Sequence, residues 1–188
     1  MQKAIREYGK SVVITGFRDI EIDDLELWIK NVQTENVHGV AVQFFNANIV
    51  ATWEHLYFAA LNALTAFATH RKLSRNLAME TMLYASAQRQ IRKAIELIGV
   101  KRGTANIAVT IICDNMSQVE KALFTIQKRL GKKPDDSVLE LSKSKIEHVR
   151  KAFGISDNEI KAVMEKCRIE RALVNLVVER VALLSTQL

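Results

Sequence analysis

The sequence lacks a disulfide framework and any low-complexity tract, and because its first residues show no signal-peptide pattern we expect no secretory leader. It contains only two cysteines, Cys113 and Cys167, without a CxxC spacing, so we expect reduced thiols that are inert core groups in a cytoplasmic protein. No apolar run approaches the roughly 20 residues that a membrane-spanning helix needs, so we expect no membrane partner. One proline and seven glycines form no linker or repeat, and 188 residues predict one domain over 1–188.

Motifs for catalysis and for cofactors are also missing. The four histidines have no His or Cys three or four residues later, so they lack the spacing of a helical zinc site. The glycines form neither GxGxxG nor a P-loop, so no nucleotide site is predicted. Glu54 and His55 are adjacent on a predicted helix and point in different directions, so we expect His55 to be structural. The sequence predicts no enzyme, no metal and no cofactor.

Hydrophobic periodicity predicts a helix-rich α+β domain. Strands are predicted at residues 11–15, 39–45, 107–113 and, as a short edge strand, 138–141. Helices are predicted at residues 22–33, 52–69, 76–98 with a break near Ser86 or Ala87, 115–130, and throughout the chain after 142, the last over 168–184. The expected fold is a single domain in which a three- to four-stranded sheet is flanked by seven or eight helices.

Local sequence patterns predict the position of one strand in the sheet and the ends of two helices. Residues 39–45 carry apolar side chains on both faces, so we expect a central strand. Asp114 or Asn115 is suited to cap the helix that Gly131 terminates. Ser156 followed three residues later by Glu159 predicts a capping box, in which each side chain bonds the other residue's amide.

Positive charge is concentrated in the middle of the chain. Lysine and arginine number 27 against 21 acidic residues, which gives a net charge of +6. Residues 71–133 contain 13 basic and four acidic side chains, a net charge of +9, whereas the remainder carries −3. Such segregation favours a polyanionic partner, and a solvated basic surface is an equally good explanation of the charge alone.

Residues 86–93, SAQRQIRK, contain the densest group of candidate binding residues. A helix that resumes near Gln88 has a predicted buried stripe and an opposing basic ridge. The stripe consists of Ile91, Ala94, Ile95 and Ile98. The ridge consists of Arg89, Arg92 and Lys93, and the preceding loop extends it with Arg71, Lys72 and Arg75. Arginine binds phosphates bidentately, so this ridge is suited to a nucleic-acid backbone, and a solvated helix face is the alternative.

Several sequence blocks, in a fixed order, resemble a known family. The blocks are Asn46-Ala47, Val50-Ala51, His55-Leu56, ASAQRQI at 85–91, Ala94-Ile95, Ile98-Gly99, DSVL at 136–139 and ERVAL at 179–183. They resemble the small kinase-binding subunit of the KEOPS (EKC) complex, the TPRKB-like family, in its archaeal branch. Ala87 stands where that family commonly has glycine, and we expect an ordinary negative φ there because alanine disfavours a positive one.

The resemblance implies a non-catalytic subunit. Members of that family bind the small lobe of the kinase-like ATPase of KEOPS and meet the other subunits only indirectly. They also help to recruit tRNA, through its single-stranded 3′ CCA end, for threonylcarbamoylation of the adenosine beside the anticodon. Single-stranded ends are held by cations and by apolar platforms under the bases. Candidate platform residues near the basic ridge are Met79, Tyr84 and Ile91, each of which is also typical of a core position.

Apolar residues outside the core stripe of a helix are the candidates for the kinase contact. They are Phe58 and Leu61 in the helix at 52–69, and Val174, Val178 and Val181 in the last helix. We expect these residues to be exposed, so that a glutamate at Val174 or Val178 leaves stability nearly intact. Two alternatives remain open: a stand-alone RNA-binding domain, and a protein adaptor that makes no RNA contact.

Overall fold

The computed structural model describes residues 2–5, 8–22, 24, 27–28, 39–164 and 168–187. In these residues the strands are β1 Gln2–Ile5, β2 Lys10–Phe17, β3 Ala41–Asn46 and β4 Ile107–Cys113. The α-helices are α1 Trp53–Ala68, α2 Leu77–Ser86, α3 Ile91–Ile98, α4 Met116–Leu130, α5 Lys143–Phe153, α6 Asp157–Met164 and α7 Ile169–Leu183. Short 3-10 helices cover Ala47–Ile49, Asp136–Leu139 and Leu184–Gln187. One small sheet among many helices confirms the predicted helix-rich α+β class.

The four strands pair in the order β1-β2-β4-β3, and every pair is antiparallel. β4 is central: Ile112 lies opposite Val12 of β2, and Val109 lies opposite Phe44 of β3. All seven residues of β4 are buried. The prediction that residues 107–113 form a deeply buried strand is therefore confirmed.

β3 lies at an edge of the sheet, so the prediction of a central strand is wrong. Among the described strands, β3 pairs with β4 alone. Its apolar residues are nevertheless buried on both faces, since Val42 and Phe44 face one side and Phe45 the other. Apolar side chains on both faces of a strand show that other elements pack above and below it. They do not show whether the strand pairs with one or with two neighbouring strands in the sheet.

Helices cover both faces of the sheet. α1, α2 and α3 pack on one face through side chains that include Leu56, Leu83 and Ile98. α4 packs on the opposite face through Val119 and Ile126. A third apolar cluster joins α5, α6 and α7. The candidate sites described below lie on the outer surfaces of these helical layers.

A 3-10 helix replaces the edge strand that the sequence predicts at residues 138–141. The Asp136 carboxylate accepts hydrogen bonds from the Thr15 hydroxyl at 2.7 Å and from the Gly16 amide at 3.3 Å, which fastens the turn to β2. A Cβ on Gly16 would lie 2.1 Å from Cγ2 of Val138. The close approach therefore requires glycine at this position in β2.

The predicted capping box at Ser156 is confirmed, and of the two candidates at the start of α4 the cap is Asn115. The Asn115 side chain accepts from the Gln118 amide at 3.1 Å, and Gly131 ends α4 with φ +61°. The Ser156 amide donates to Glu159 at 2.8 Å, and the Glu159 amide donates to the Ser156 hydroxyl at 3.3 Å. Both helix starts thereby satisfy amides that have no partner within the helix.

Cys113 is buried in β4, as an inert core thiol should be. Burial raises the pKa of its thiol, which disfavours the reactive thiolate. Cys167 lies outside the described residues, and so does most of the helix predicted at 22–33.

The predicted break between α2 and α3 occurs at Ala87, but its conformation differs from the expectation. Ala87 has φ 51° and ψ 36°, in the left-handed region, so the prediction of a negative φ is wrong. The Gln88 amide donates to the Leu83 carbonyl at 3.1 Å, the bond that closes a Schellman-type helix end. That end needs a positive φ, and the chain adopts it despite the strain of an alanine Cβ.

Replacing Ala87 by glycine is therefore expected to raise the free energy of unfolding by about 0.5–1 kcal/mol, because glycine reaches this conformation without the Cβ penalty. The matched control is Ala162→Gly on the exposed face of α6, which is expected to lower stability by a similar amount. Urea unfolding of both variants measures the difference. A destabilised Ala87→Gly protein would contradict the left-handed assignment.

Candidate functional sites

α1 and α7 pack side by side and leave a shallow groove between their outer faces. The groove has a volume of about 370 Å³ and includes Phe58 of α1 with Val178 and Ala182 of α7. At one end, Arg171 of α7 donates to both carboxylate oxygens of Glu54 at 2.8 and 2.7 Å. A larger cavity of about 610 Å³ begins at the same ion pair. We call the apolar strip formed by Phe58, Val178 and Ala182 the α1–α7 groove.

The five residues predicted for the kinase contact divide into surface and core. Phe58 is 37% exposed, and Leu61 and Val178 are half-buried. Val174 and Val181 are buried, at 4% and 0% exposure, so their predicted exposure is wrong. Val181 points into the cluster beneath α1 and α2, and Val174 belongs to the cluster that joins α5, α6 and α7. A glutamate at Val174 would therefore destabilise the fold, contrary to the expectation.

The sequence-based prediction overlooked Ala182 and the Glu54–Arg171 pair. Ala182 lies four residues after Val178, one helical turn further along the same stripe, so the spacing contained its signal. The ion pair joins residues 117 positions apart in sequence, and no local pattern could reveal it.

α3 carries only part of the buried stripe that its spacing predicts. Ala94 and Ile98 are buried in the cluster beneath α1 and α2. Ile91 and Ile95 are 44% and 42% exposed, so the prediction that they are buried is wrong. The core therefore buries only two of the four stripe positions of this eight-residue helix.

The exposed isoleucines of α3 are accompanied by basic side chains. Arg89, Arg92 and Lys93 are all exposed, as predicted, and the Arg92 side chain reaches 91% exposure. The Nε of Arg92 lies 3.0 Å from a carboxylate oxygen of Glu96, an exposed pair whose net strength is small. We call the surface formed by Ile91, Ile95, Arg89, Arg92 and Lys93 the α3 patch. It combines cations with apolar area open to solvent.

The loop before α2 does not extend this patch. Arg71, Lys72 and Arg75 precede α2, whereas Arg89 follows it, so a ten-residue helix of about 15 Å separates the two groups. Lys72 instead lies over the ring of Phe67, with its Nζ 4.4 Å from the ring centre. The three loop cations are exposed at the far end of α2 and form a second basic area.

Glu80, which the sequence analysis overlooked, holds that loop in place. Its side chain is fully buried. One carboxylate oxygen accepts from the Leu73 amide at 3.0 Å and the other accepts from the Ser74 amide at 2.6 Å. Because both oxygens of one buried side chain hold consecutive amides, Glu80 fixes the path of the basic loop.

Of the three predicted base platforms, one is buried, one is half-buried and one is exposed. Tyr84 is 1% exposed and packs in the core, so its assignment as a platform is wrong. Met79 is half-buried and packs against the same cluster. Ile91 is exposed, and so is Ile95, which lies one helical turn later and which the predicted stripe placed in the core.

His55 is a structural residue, as predicted, and it connects three segments. The Ala51 amide donates to Nδ1 at 3.3 Å, so Nε2 carries the proton and donates to the Ala85 carbonyl at 2.7 Å. The ring also packs edge-on against Phe153, with centroids 5.3 Å apart. Burial lowers the pKa of His55 to about 4. Because Ala85 lies just before the turn at Ala87, His55 helps to position the start of the α3 patch.

We expect stability to fall as the pH drops from about 6.5 toward 4. The folded protein holds His55 neutral with a pKa of about 4, while the unfolded chain binds a proton near 6.5, which costs about 3 kcal/mol over this range. Lys145, whose pKa burial lowers to about 8, stays protonated here and adds no slope. Hydrogen bonds lower the pKa values of Asp135 and Glu159 to about 2, so the stability that these carboxylates contribute begins to fall only below about pH 5 and is lost mainly below about pH 4.

Thermal unfolding between pH 7.5 and 4.5 measures this dependence. A His55→Gln protein is expected to be less stable at pH 7.5 and to lose little more on acidification. The exposed His148 supplies the control, since His148→Gln is expected to retain the full acid slope. An unchanged slope in His55→Gln would contradict the assignment.

Comparison with known proteins identifies the family. Residues 17–185 match the family model described as kinase binding protein CGI-121. The chain belongs to this family. The matched range contains all helices from α1 to α7, and therefore the α1–α7 groove and the α3 patch. A relative within the CGI-121 family, the regulatory protein Cgi121 of Methanocaldococcus jannaschii, is 35% identical over 130 residues, which cover 68% of this chain and 81% of the relative.

Two further features of this CGI-121 family protein concern membrane spans and metal sites. None of the helices that the structure describes combines the length and apolar character needed to cross a membrane. Among the described residues, no three His, Cys, Asp or Glu side chains come together in a group that could hold a metal ion. The description of the family as kinase-binding agrees with the kinase partner that the resemblance implied.

Proposed function

We propose that this protein is a non-catalytic regulatory subunit that binds a kinase-like ATPase and recruits tRNA for threonylcarbamoyladenosine modification, as in a KEOPS complex. The kinase part rests on membership of a family described as kinase-binding. The tRNA part is supported by the α3 patch, in which two exposed isoleucines and three exposed cations occupy residues 89–95, with Arg92 three residues before Ile95 on a shared helix face. The proposal assigns the two partners to different surfaces of one helical layer.

The α1–α7 groove is the proposed kinase contact. Phe58, at 37% exposure, and half-buried Val178 present apolar area that a partner protein would remove from water. The groove ends at the Glu54–Arg171 pair, which offers polar groups at the rim. An apolar centre with a polar rim is the usual composition of protein interfaces.

The α3 patch is the proposed contact for the 3′ CCA end. An unpaired RNA end presents base faces that pack on apolar side chains and phosphates that pair with arginine or lysine. Ile91 and Ile95 supply the apolar area, one turn apart on the same helix face. Arg92 borders this face, and Arg89 and Lys93 extend the exposed cationic surface around the helix, so these three side chains supply the phosphate contacts. Paired RNA would meet the cations alone, so the isoleucines favour a single-stranded end.

The test compares tRNA binding by the protein with its kinase for four proteins: wild type, Arg89→Glu, Arg92→Glu and the control Lys161→Glu. Lys161 is an exposed cation of α6, outside the patch. Each lost phosphate contact is expected to reduce the slope of log affinity against log salt by about 0.7 and to weaken binding, while the kinase remains bound. Lys161→Glu is expected to match wild type.

Removal of the terminal CCA from the tRNA distinguishes the remaining alternatives. An end-binding site is expected to lose most of its affinity for the trimmed tRNA. Equal binding of trimmed and intact tRNA contradicts end recognition and leaves a general basic surface. Strong binding without the kinase would favour the stand-alone RNA-binding domain, and no binding at any salt concentration would favour the adaptor without RNA contact.

A further inference from the structure

α4 exposes a phenylalanine on the side of the molecule opposite to the sites described above. Phe124 is 68% exposed, the highest exposure among the large hydrophobic side chains that the structure describes. The buried face of α4, with Val119 and Ile126, packs on the sheet and leaves Phe124 in solvent. An aromatic ring this exposed contributes little to the stability of the fold, and its neighbours indicate what else it could contact.

Those surroundings are basic. Residues 121–133 contain five basic side chains and no acidic one. Lys121 and Lys128 lie three residues before and four residues after Phe124, on the same helix face. Gly131, with φ +61°, ends α4, and Lys132 and Lys133 then border a groove of about 460 Å³ beside the ring.

Helix stabilisation does not account for this arrangement. Cations in the last turn of a helix interact favourably with its dipole, which explains Lys128. Lys121 lies two turns earlier, and Lys132 and Lys133 come after the helix has ended. Like charges so close together repel each other, so the cluster is more readily explained by an anionic partner.

We propose that this surface, formed by Phe124, Gln127 and the lysines at 121, 128, 132 and 133, is a second binding site for unpaired RNA. A base stacks on the exposed ring of Phe124, and the lysines contact the phosphates on either side of it. Gln127 lines the same groove and offers an amide to a base edge. Aromatic platforms between cations are the recurrent design of sites for single-stranded nucleic acid.

The site is independent of the proposed α3 patch. α3 packs with α1 and α2 on one face of the sheet, and α4 covers the opposite face. RNA bound at Phe124 therefore leaves the α1–α7 groove and the α3 patch free. The sheet between the two layers keeps the sites apart, so each can be removed by mutation without the other.

The test uses the full chain and a fluorescent oligouridylate of about 12 nucleotides, in an Arg92→Glu background that weakens the α3 patch. Phe124→Ala is expected to lower affinity about tenfold, whereas Phe124→Tyr, which keeps a stacking ring, is expected to stay within about twofold. Lys128→Glu is expected to reduce the salt slope by about 0.7 or more. Met164→Ala, which removes an exposed apolar side chain from α6, outside the proposed sites, is the matched control and is expected to bind normally.

Crosslinking provides a readout that does not depend on affinity. A 4-thiouridine oligonucleotide is expected to crosslink within residues 121–133, and the crosslink is expected to disappear in Phe124→Ala. Equal affinity of Phe124→Ala and wild type, or crosslinks elsewhere only, would overturn the proposal. Phe124-dependent binding to phosphatidylserine vesicles without any effect on RNA would overturn it in favour of a membrane surface.

Discussion

A carboxylate introduced at Phe58 or at Val178 is expected to lower the affinity for the kinase by about 30-fold or more, the loss typical of a central interface residue. Both side chains line the α1–α7 groove, where Glu54 is already paired with Arg171. Kinase binding would bury the new carboxylate without a partner, which opposes association. Isothermal titration calorimetry with the purified kinase measures the loss.

The chain offers a matched control for this experiment. Phe124→Glu makes the same substitution at an exposed phenylalanine on the opposite layer, and it is expected to bind the kinase normally. Phe58 is 37% exposed, so Phe58→Glu is expected to melt close to wild type. Val174→Glu is expected instead to unfold, since Val174 is 4% exposed. Wild-type affinity in both Phe58→Glu and Val178→Glu would exclude the groove as the kinase contact.

Replacing Glu80 by alanine is expected to lower the free energy of unfolding by about 3 kcal/mol and the melting temperature by about 10 °C. The substitution removes the acceptor of the Leu73 and Ser74 amides, and no described side chain is hydrogen-bonded to them in its place. Each amide left unsatisfied in a buried position costs about 1–3 kcal/mol. Calorimetry or urea unfolding measures the change.

Two further variants test whether the loss in Glu80→Ala comes from its hydrogen bonds to the loop or from removal of any carboxylate. Glu80→Gln retains one acceptor oxygen, so it is expected to lose less stability than Glu80→Ala. Glu96→Ala removes an exposed carboxylate that pairs with Arg92, and a change below about 0.5 kcal/mol is expected. Near-wild-type stability of Glu80→Ala would show that the loop at 71–75 does not depend on these bonds.

The sequence predicts which types of residue form the candidate sites, but only partly which of those residues are exposed. The basic side chains of the α3 patch were assigned to the surface correctly, because a charged residue on an amphipathic helix rarely points into a core. The isoleucines at 91 and 95 were assigned to the core, because helical spacing shows which residues share a face and not whether another element covers it. The same ambiguity applies to Val174 and Val181, which an apolar spacing alone could not distinguish from Val178.

The sequence by itself determined the features that depend on neighbours within a few positions. The capping box at Ser156, the helix end at Gly131 and a cap at one of the two adjacent residues Asp114 and Asn115 all rest on such local patterns. The family also follows from the sequence, since residues 17–185 match its model.

Only the tertiary structure decided what lies next to what. In the folded structure β3 is an edge strand. The full length of α2 lies between the basic loop and the α3 patch. Glu80 became a buried anchor because the loop folds back onto α2, although a glutamate in a helix is normally read as a surface residue. Ala87 took a positive φ because packing on both sides of the turn outweighs the roughly 1 kcal/mol that an alanine Cβ costs there. Pairing, burial and distance between elements depend on contacts across the whole chain, so local spacing cannot specify them.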